Sequence, residues 1–223
     1  MPLLRGLWRM VSAVAPLERH HMVHAAPAAW AEMLARRSDL AGEPLVVDWA
    51  QCGWPLVVRR PGCADVAGAV QLGLPLPLAS RRRRVALELS TEDLVDWGPS
   101  PRLVDAMAAA PESWRSSIAT LVALDSEVRC FGSLAWQDLT GLAYLSAKSD
   151  LDLLWRVGSA AAANALAVNI ASVAECAPMR LDGEFINSAG VGVQWQEWGS
   201  SARELVAKDR DGVRLLARAA FFP

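Results

Sequence analysis

Two aspartates, Asp150 and Asp152, stand one residue apart in SDLDLLWRV (149–157), alternating with Leu151 and Leu153. Residues two apart on a strand project to one face. This spacing therefore sets two carboxylates side by side and turns the leucines to a core. Two such charges about 4 Å apart repel by roughly 4 kcal/mol at an effective dielectric near 20. The pair calls for a cation or a raised carboxyl pKa. Oxygen ligands so spaced suit Mg²⁺, which takes one or two carboxylates and shares its other positions with substrate phosphates. Upstream, VRCFGS (128–133) reads as a short apolar strand ending in Gly132 and Ser133 ahead of a helical segment. Backbone N–H groups at a helix N-terminus attract phosphate oxygens. A phosphate holder and a metal holder then share one site. The plainer reading of Asp-x-Asp is a strand with one wet face, but Leu151, Leu153 and Leu154 and the preceding Gly-Ser turn argue against a solvated edge.

The elements that must position these residues follow from periodicity. ESWRSSIATLVALDSE (112–127) predicts an amphipathic helix, with Trp114, Ile118, Leu121 and Val122 at helical spacing behind Pro111. SAAAANALAVNIASVAEC (159–176) predicts an Ala-rich helix. MRLDGEFI (179–186) and VGVQWQEW (191–198) read as strands, the latter running into a helix around 199–207, and VRLLARAAF (213–221) reads as the last strand. Before them, AAWAEMLARRSDL (28–40) predicts a helix, WPLVVRRPG (54–62) a short strand ended by Pro61 and Gly62, and VALELS (85–90) an alternating strand. The Pro-broken stretch 71–84, closing in Arg81–Arg84, reads as the domain boundary. The expected layout is an extension over 1–17, a basic N-terminal domain over 18–84 and a larger α/β (α+β) domain over 85–223.

Composition narrows the function. With 223 residues, 53% hydrophobic and 21% charged, the chain is long and apolar enough for one large or two small domains and is no disordered tail. The net charge of −2 hides an asymmetry: residues 1–84 hold eleven arginines against six acids, and the remainder is acidic. No apolar run reaches the roughly 18 uncharged residues of a membrane helix, and Arg5 and Arg9 interrupt what would be a secretion signal. The four cysteines lack metal-site spacing and read as buried free thiols of a cytoplasmic protein. His20 and His24 would share a helical face, but a third zinc ligand is missing nearby. Most of the ten tryptophans sit at core spacing; Trp136, near the Gly-Ser turn, is placed to line an adenine pocket.

The longer run FGSLAWQDLTGLAYLSAKSDLDLLWRV (131–157) resembles the malonate decarboxylase holo-acyl-carrier-protein synthase family, also called phosphoribosyl-dephospho-CoA transferases. Its Gly-Ser turn and acid-x-acid strand are similar to those of the polymerase-β-like nucleotidyltransferase superfamily. HHMVHAAPAAW, WPLVVRRP, QLGLPLP, MRLDGEF and VQWQEW carry the same resemblance, which covers the chain from about residue 18 onward. It implies a C-terminal nucleotidyltransferase-like mixed sheet with flanking helices and a smaller N-terminal α/β domain.

The implied donor is 2'-(5''-triphosphoribosyl)-3'-dephospho-CoA. The implied acceptor is a serine of the malonate decarboxylase acyl-carrier subunit, and diphosphate leaves. On this resemblance Asp150 and Asp152 hold Mg²⁺, Gly132 and Ser133 hold the departing phosphates, and a third carboxylate comes from Asp182, with Glu184 as substitute. Asp182 also reads more plainly as a strand end salt-bridged to Arg180. Lys148 would neutralise a phosphate. Arg59 and Arg60 would meet CoA phosphates or an acidic carrier, and Arg81–Arg84 would do the same or form a solvated hinge. No nucleic acid or membrane partner is implied. The alternatives are transfer to another acceptor, such as the citrate lyase carrier subunit, and a non-catalytic binding module.

Overall fold

In the computed structural model, residues 16–40, 42–62, 65, 68–80 and 83–222 are described. Most of the N-terminal extension, Cys63, Arg81 and Arg82 lie outside them. The first half of the chain forms β1 (Met22–Ala25), α1 (Pro27–Ala35), α2 (Pro44–Val47), β2 (Leu56–Val58), β3 (Val70–Pro75), β4 (Arg84–Leu89) and β5 (Leu94–Gly98). Its sheet runs β4-β3-β2-β1-β5, with every neighbouring pair antiparallel. Pro27 starts α1 at a position where its missing N–H costs nothing. Trp30 and Met33 of α1 are buried beneath the sheet's apolar residues.

Three sequence expectations change in this half. The His20–His24 stretch is a turn leading into β1, not a helix, because Met22 and Val23 pair with β2 and β5. The Pro-containing stretch is a real strand: Leu72 and Leu74 of β3 are buried on alternate positions, and Pro75 falls at its end, where a missing N–H is tolerated. The divide expected after Arg84 falls inside the β3–β4 pairing, where Pro75 faces Arg84, and this sheet continues to Gly98.

The second half contains α3 (Leu103–Ala106), α4 (Arg115–Leu124), β6 (Arg129–Phe131), α5 (Gly132–Thr140), β7 (Leu151–Arg156), α6 (Ala160–Cys176), β8 (Leu181–Ile186), β9 (Gly192–Gln194), α7 (Trp195–Gly199), β10 (Glu204–Lys208) and β11 (Val213–Ala217). The sheet order is β11-β10-β9-β8-β7-β6. It is antiparallel throughout except for the parallel pair β7–β8, so the protein is α+β with a mixed second sheet. A parallel pair needs a crossover, and α6 supplies it. Ser159 caps α6 by accepting from the Ala162 N–H at 3.2 Å, and Ala163, Ala167 and Ile170 form its buried stripe. The helix expected around 199–207 is instead largely β10, where Leu205 and Ala207 alternate inward against β11. One cluster of buried apolar side chains runs through both halves.

Candidate functional site

The parallel register of β7 and β8 builds the site. Asp152 lies directly opposite Asp182, and on its other side it lies opposite Phe131 of β6. Paired strands run about 4.8 Å apart, so Asp152 and Asp182 share one face, while Leu151, Leu153 and Trp155 go to the helix-covered face with no exposure. Asp150 precedes the first residue of β7 rather than lying within it. Its carboxylate pairs with the exposed guanidinium of Arg180, which also reaches Asp182 at 3.3 Å. Asp182 Oδ1 accepts from Gln194 Nε2 at 2.8 Å and from the Gly183 N–H at 2.8 Å. Asp182 is thus salt-bridged to Arg180, as its plainer reading has it, and it also stands next to Asp152.

Gly132 closes the site from the β6–α5 turn. Its φ of +62° is in the left-handed region, and a Cβ there would overlap the Asp152 carboxylate; only glycine lets the start of α5 approach this closely. No N-cap side chain accepts from the first N–H groups of the helix. Burial first, then the charges of Asp182 and Asp150, push the Asp152 carboxyl up to about 7. Arg180 pulls the other way and is itself held well above the usual range by Asp150. Carboxylate oxygens are hard donors of the type that suits a divalent cation such as Mg²⁺. In this conformation Arg180 engages Asp150 and Asp182, and among the described residues no group of three or more His, Cys, Asp or Glu closes on a metal position.

A cavity of about 500 Å³ opens from this point toward the first sheet. Gly132, Ser133 and Asp152 form one end; Val57, Leu74 and Trp136 give it apolar walls. Arg84 lines it without an ion-pair partner among the described residues. Tyr144 also lines it, and its hydroxyl donates to the Pro75 carbonyl at 2.9 Å. Leu78 N donates to the Ala143 carbonyl at 3.1 Å. The loop between α5 and Asp150 is thus anchored on the end of β3 and the turn that follows it. Gln137 shapes it by accepting from the Tyr144 and Leu145 N–H groups.

The remaining candidates separate. Glu184 does not join the aspartates: it is 6% exposed and is engaged by Arg19 and by Lys208 at 3.1 Å. Arg59 lines the cavity, but its guanidinium is committed to Asp65, Gln71 Oε1 and the Leu72 and Arg60 carbonyls. Arg60 and Lys148 do not line the cavity, and Lys148 is exposed. Of the thiols, Cys130 is buried, whereas Cys52 and Cys176 are exposed, contrary to the expectation of buried cysteines. Tyr144 and Gln194 were not singled out from sequence, and Arg84 was named only within the Arg81–Arg84 run. Arg84 was hidden in an arginine block, and nothing local marks a tyrosine or glutamine that acts across an interface.

Fold and site together define a two-unit α+β protein in which an acidic parallel strand pair meets a helix N-terminus at an interdomain cavity. The particular family follows from comparison. Models of the N-terminal and C-terminal domains of the phosphoribosyl-dephospho-CoA transferase MdcG match residues 18–98 and 102–219, and the gap between them coincides with the change of sheet. The chain belongs to the phosphoribosyl-dephospho-CoA transferase family and is a transferase. It is 38% identical over 210 residues to the phosphoribosyl-dephospho-CoA transferase of Bradyrhizobium diazoefficiens, covering 92% of each chain. Against the transferase of the same name from Xanthomonas campestris pv. campestris it is 35% identical over 81% of this chain and 87% of the relative. Against that of Pseudomonas putida it is 32% identical over 95% of this chain and 91% of the relative. No solved structure matches. Among the described residues no helix is long and apolar enough to cross a membrane.

Proposed function

We propose that this transferase acts in the cytoplasm and moves the phosphoribosyl-dephospho-CoA group from 2'-(5''-triphosphoribosyl)-3'-dephospho-CoA to a serine hydroxyl of the malonate decarboxylase acyl-carrier subunit. The observation that carries the reading is the contact of the Gly132 turn with Asp152, itself in register with Asp182. That contact brings anion-attracting N–H groups against carboxylates, an arrangement useful where a negatively charged group and its counter-cation must meet. The serine oxygen attacks the phosphorus nearest the ribose, the bond to the bridging oxygen of the diphosphate breaks, and diphosphate leaves. The N–H groups of Gly132 and Ser133 receive the departing phosphates. The apolar walls of the cavity shelter the dephospho-CoA part, and Arg84 faces its phosphates. Asp150, Asp152 and Asp182 would hold Mg²⁺, and the bound ion would neutralise charge developing on the phosphate oxygens. Arg180 pairs with Asp150 and Asp182 and would have to release Asp150 for a cation to be held there.

The test is direct. Protein, Mg²⁺ and donor are mixed with the purified apo-carrier subunits of malonate decarboxylase and, separately, of citrate lyase, and the carriers are weighed by mass spectrometry. A mass gain on the malonate carrier supports the reading. A gain confined to the citrate carrier reassigns the acceptor, and no gain on either overturns the transfer reaction proposed here.

A further inference from the structure

His20 is neither part of the carboxylate cluster nor idle in the core. Its φ of +69° makes it the one non-glycine residue with positive φ among those described. A backbone so held at a bulky residue is a constraint that the surroundings must enforce. They do so through the His20 N–H, which donates to the Val58 carbonyl at 3.2 Å, and through the Phe131 ring, whose centroid lies 4.4 Å from the imidazole. Phe131 is the residue that pairs with Asp152 and precedes Gly132. The constraint therefore fixes the imidazole against the strand end that forms the site.

The ring is also oriented. Nε2 is buried, stands 3.7 Å from Glu184 Oε2 and has no hydrogen-bond partner at closer range. Glu184 is locked by Arg19 and Lys208 and pressed against bare backbone: a Cβ on Gly192 would come within 2.7 Å of Glu184 Oε2. Nδ1, in contrast, has no protein partner among the described residues. Glu184 is two residues beyond Asp182 on β8, about 7 Å along the strand. Burial, ahead of the opposing pull of Glu184 and the smaller effects of Arg19 and Lys208, pushes the imidazole below the usual histidine range. The other charged or titratable groups around it are Arg59, Arg84 and Asp152 across this cavity and Glu18, His21, Asp125, Glu127, Arg129 and Arg156 on its opposite side.

A second cavity, of about 730 Å³, lies on the far side of His20, between the N-terminal turn and the ends of β6, β7 and β8. Among the residues described, His20 alone lines both cavities. A donor seated over Gly132 and an acceptor loop entering from the other side would meet at this ring.

We propose that His20 is the general base of the transfer: its Nδ1 takes the proton of the acceptor hydroxyl as the oxygen bonds to phosphorus and diphosphate departs, while Glu184 positions the ring from the Nε2 side. The balance is complete, since the proton passes to imidazole and the electron pair of the broken bond leaves with diphosphate. The proposal rests on the transfer reading above and goes beyond it by assigning the proton.

His20→Gly and His20→Asn both accept a left-handed backbone, so the turn is kept. The kcat of carrier loading is expected to fall about 10²- to 10⁴-fold in each, with the affinity for 3'-dephospho-CoA, measured by calorimetry, within about threefold of the parent. The acidic limb of the parent pH–kcat profile is expected to vanish in both variants. Added imidazoles are expected to restore loading to His20→Gly in proportion to their basicity. A parent that loads neither carrier overturns the transfer reading and this proposal with it. Should the parent load a carrier while His20→Gly matches its rate and pH profile, or show an unrestored loss with weakened dephospho-CoA binding, only the His20 assignment falls.

Discussion

The two sheets of this molecule divide the work by the way their strands pair. In the first, every neighbouring pair is antiparallel. It offers the cavity apolar side chains such as Val57 and Leu74, and cations, Arg59 and Arg84, but no carboxylate. In the second, a single parallel pair joins β7 to β8, and there Asp152 and Asp182, thirty residues apart in sequence, become direct neighbours on one face. Such an antiparallel sheet gives a smooth wall. A crossover through α6 gives a place where remote carboxylates are forced together, at an electrostatic cost visible in the raised Asp152 carboxyl. On this comparison the carboxylates of the second sheet are expected to govern kcat, together with the proposed base His20, and the walls supplied by the first sheet to govern donor affinity.

The sharpest way to break that division is to remove the carboxylates. Asp152→Asn combined with Asp150→Asn is expected to lower carrier loading at least 10³-fold with an unchanged circular dichroism spectrum. A residual rate within tenfold of the parent would place the chemistry elsewhere. Next comes stability. The folded state raises the Asp152 carboxyl from 3.8 to about 7 and so binds its proton more tightly than the unfolded chain does. The associated stability is fully present below about pH 4 and is lost as pH rises through 7. Without divalent cation, Asp152→Asn should therefore gain on the parent between pH 4 and 8 by up to about 4 kcal/mol in urea titrations. A constant difference across that range would contradict the raised Asp152 carboxyl.

Gly132→Ala tests the close approach itself. The new Cβ must displace Asp152 or the start of α5, and misplacement on that scale is expected to cost about 10²-fold in kcat. The smallest effect is expected on the first sheet, where Val57→Phe narrows the cavity. It should raise the KM for the donor several-fold, on the order of 1 kcal/mol, and leave kcat within twofold. If it instead lowered kcat at unchanged KM, the assignment of affinity to the first sheet would fail.

The sequence was most readable where local pattern and tertiary demand agree. The Leu151–Leu153–Trp155 alternation and the Ala-rich run 160–176 gave β7 and α6 nearly to their ends. Gly132, Asp150 and Asp152 could be brought together on paper from the turn and the strand alternation, whereas Asp182 was joined to them only by the family resemblance. It was least readable where pairing outvotes local preference. Glu204–Lys208 has good helix formers, yet it becomes β10 because Leu205 and Ala207 close the sheet beside β11. The prolines around β3 signal a linker until one sees that Pro75 needs no N–H at a strand end. Glu184 shares a strand face with Asp182, but its partner Arg19 lies 165 residues away. No spacing rule reveals such a pairing, nor the role of His20 that depends on it.

The Tyr144 hydroxyl on the Pro75 carbonyl has a thermodynamic meaning beyond the shape of the cavity. Burial holds this phenol well above its usual pKa, so the bond persists through ordinary alkaline conditions. With the buried core continuous across both sheets, it joins them into one cooperative unit. A ligand bridging the two walls raises the melting temperature of both halves in a single transition, by an increment set by its concentration over its dissociation constant.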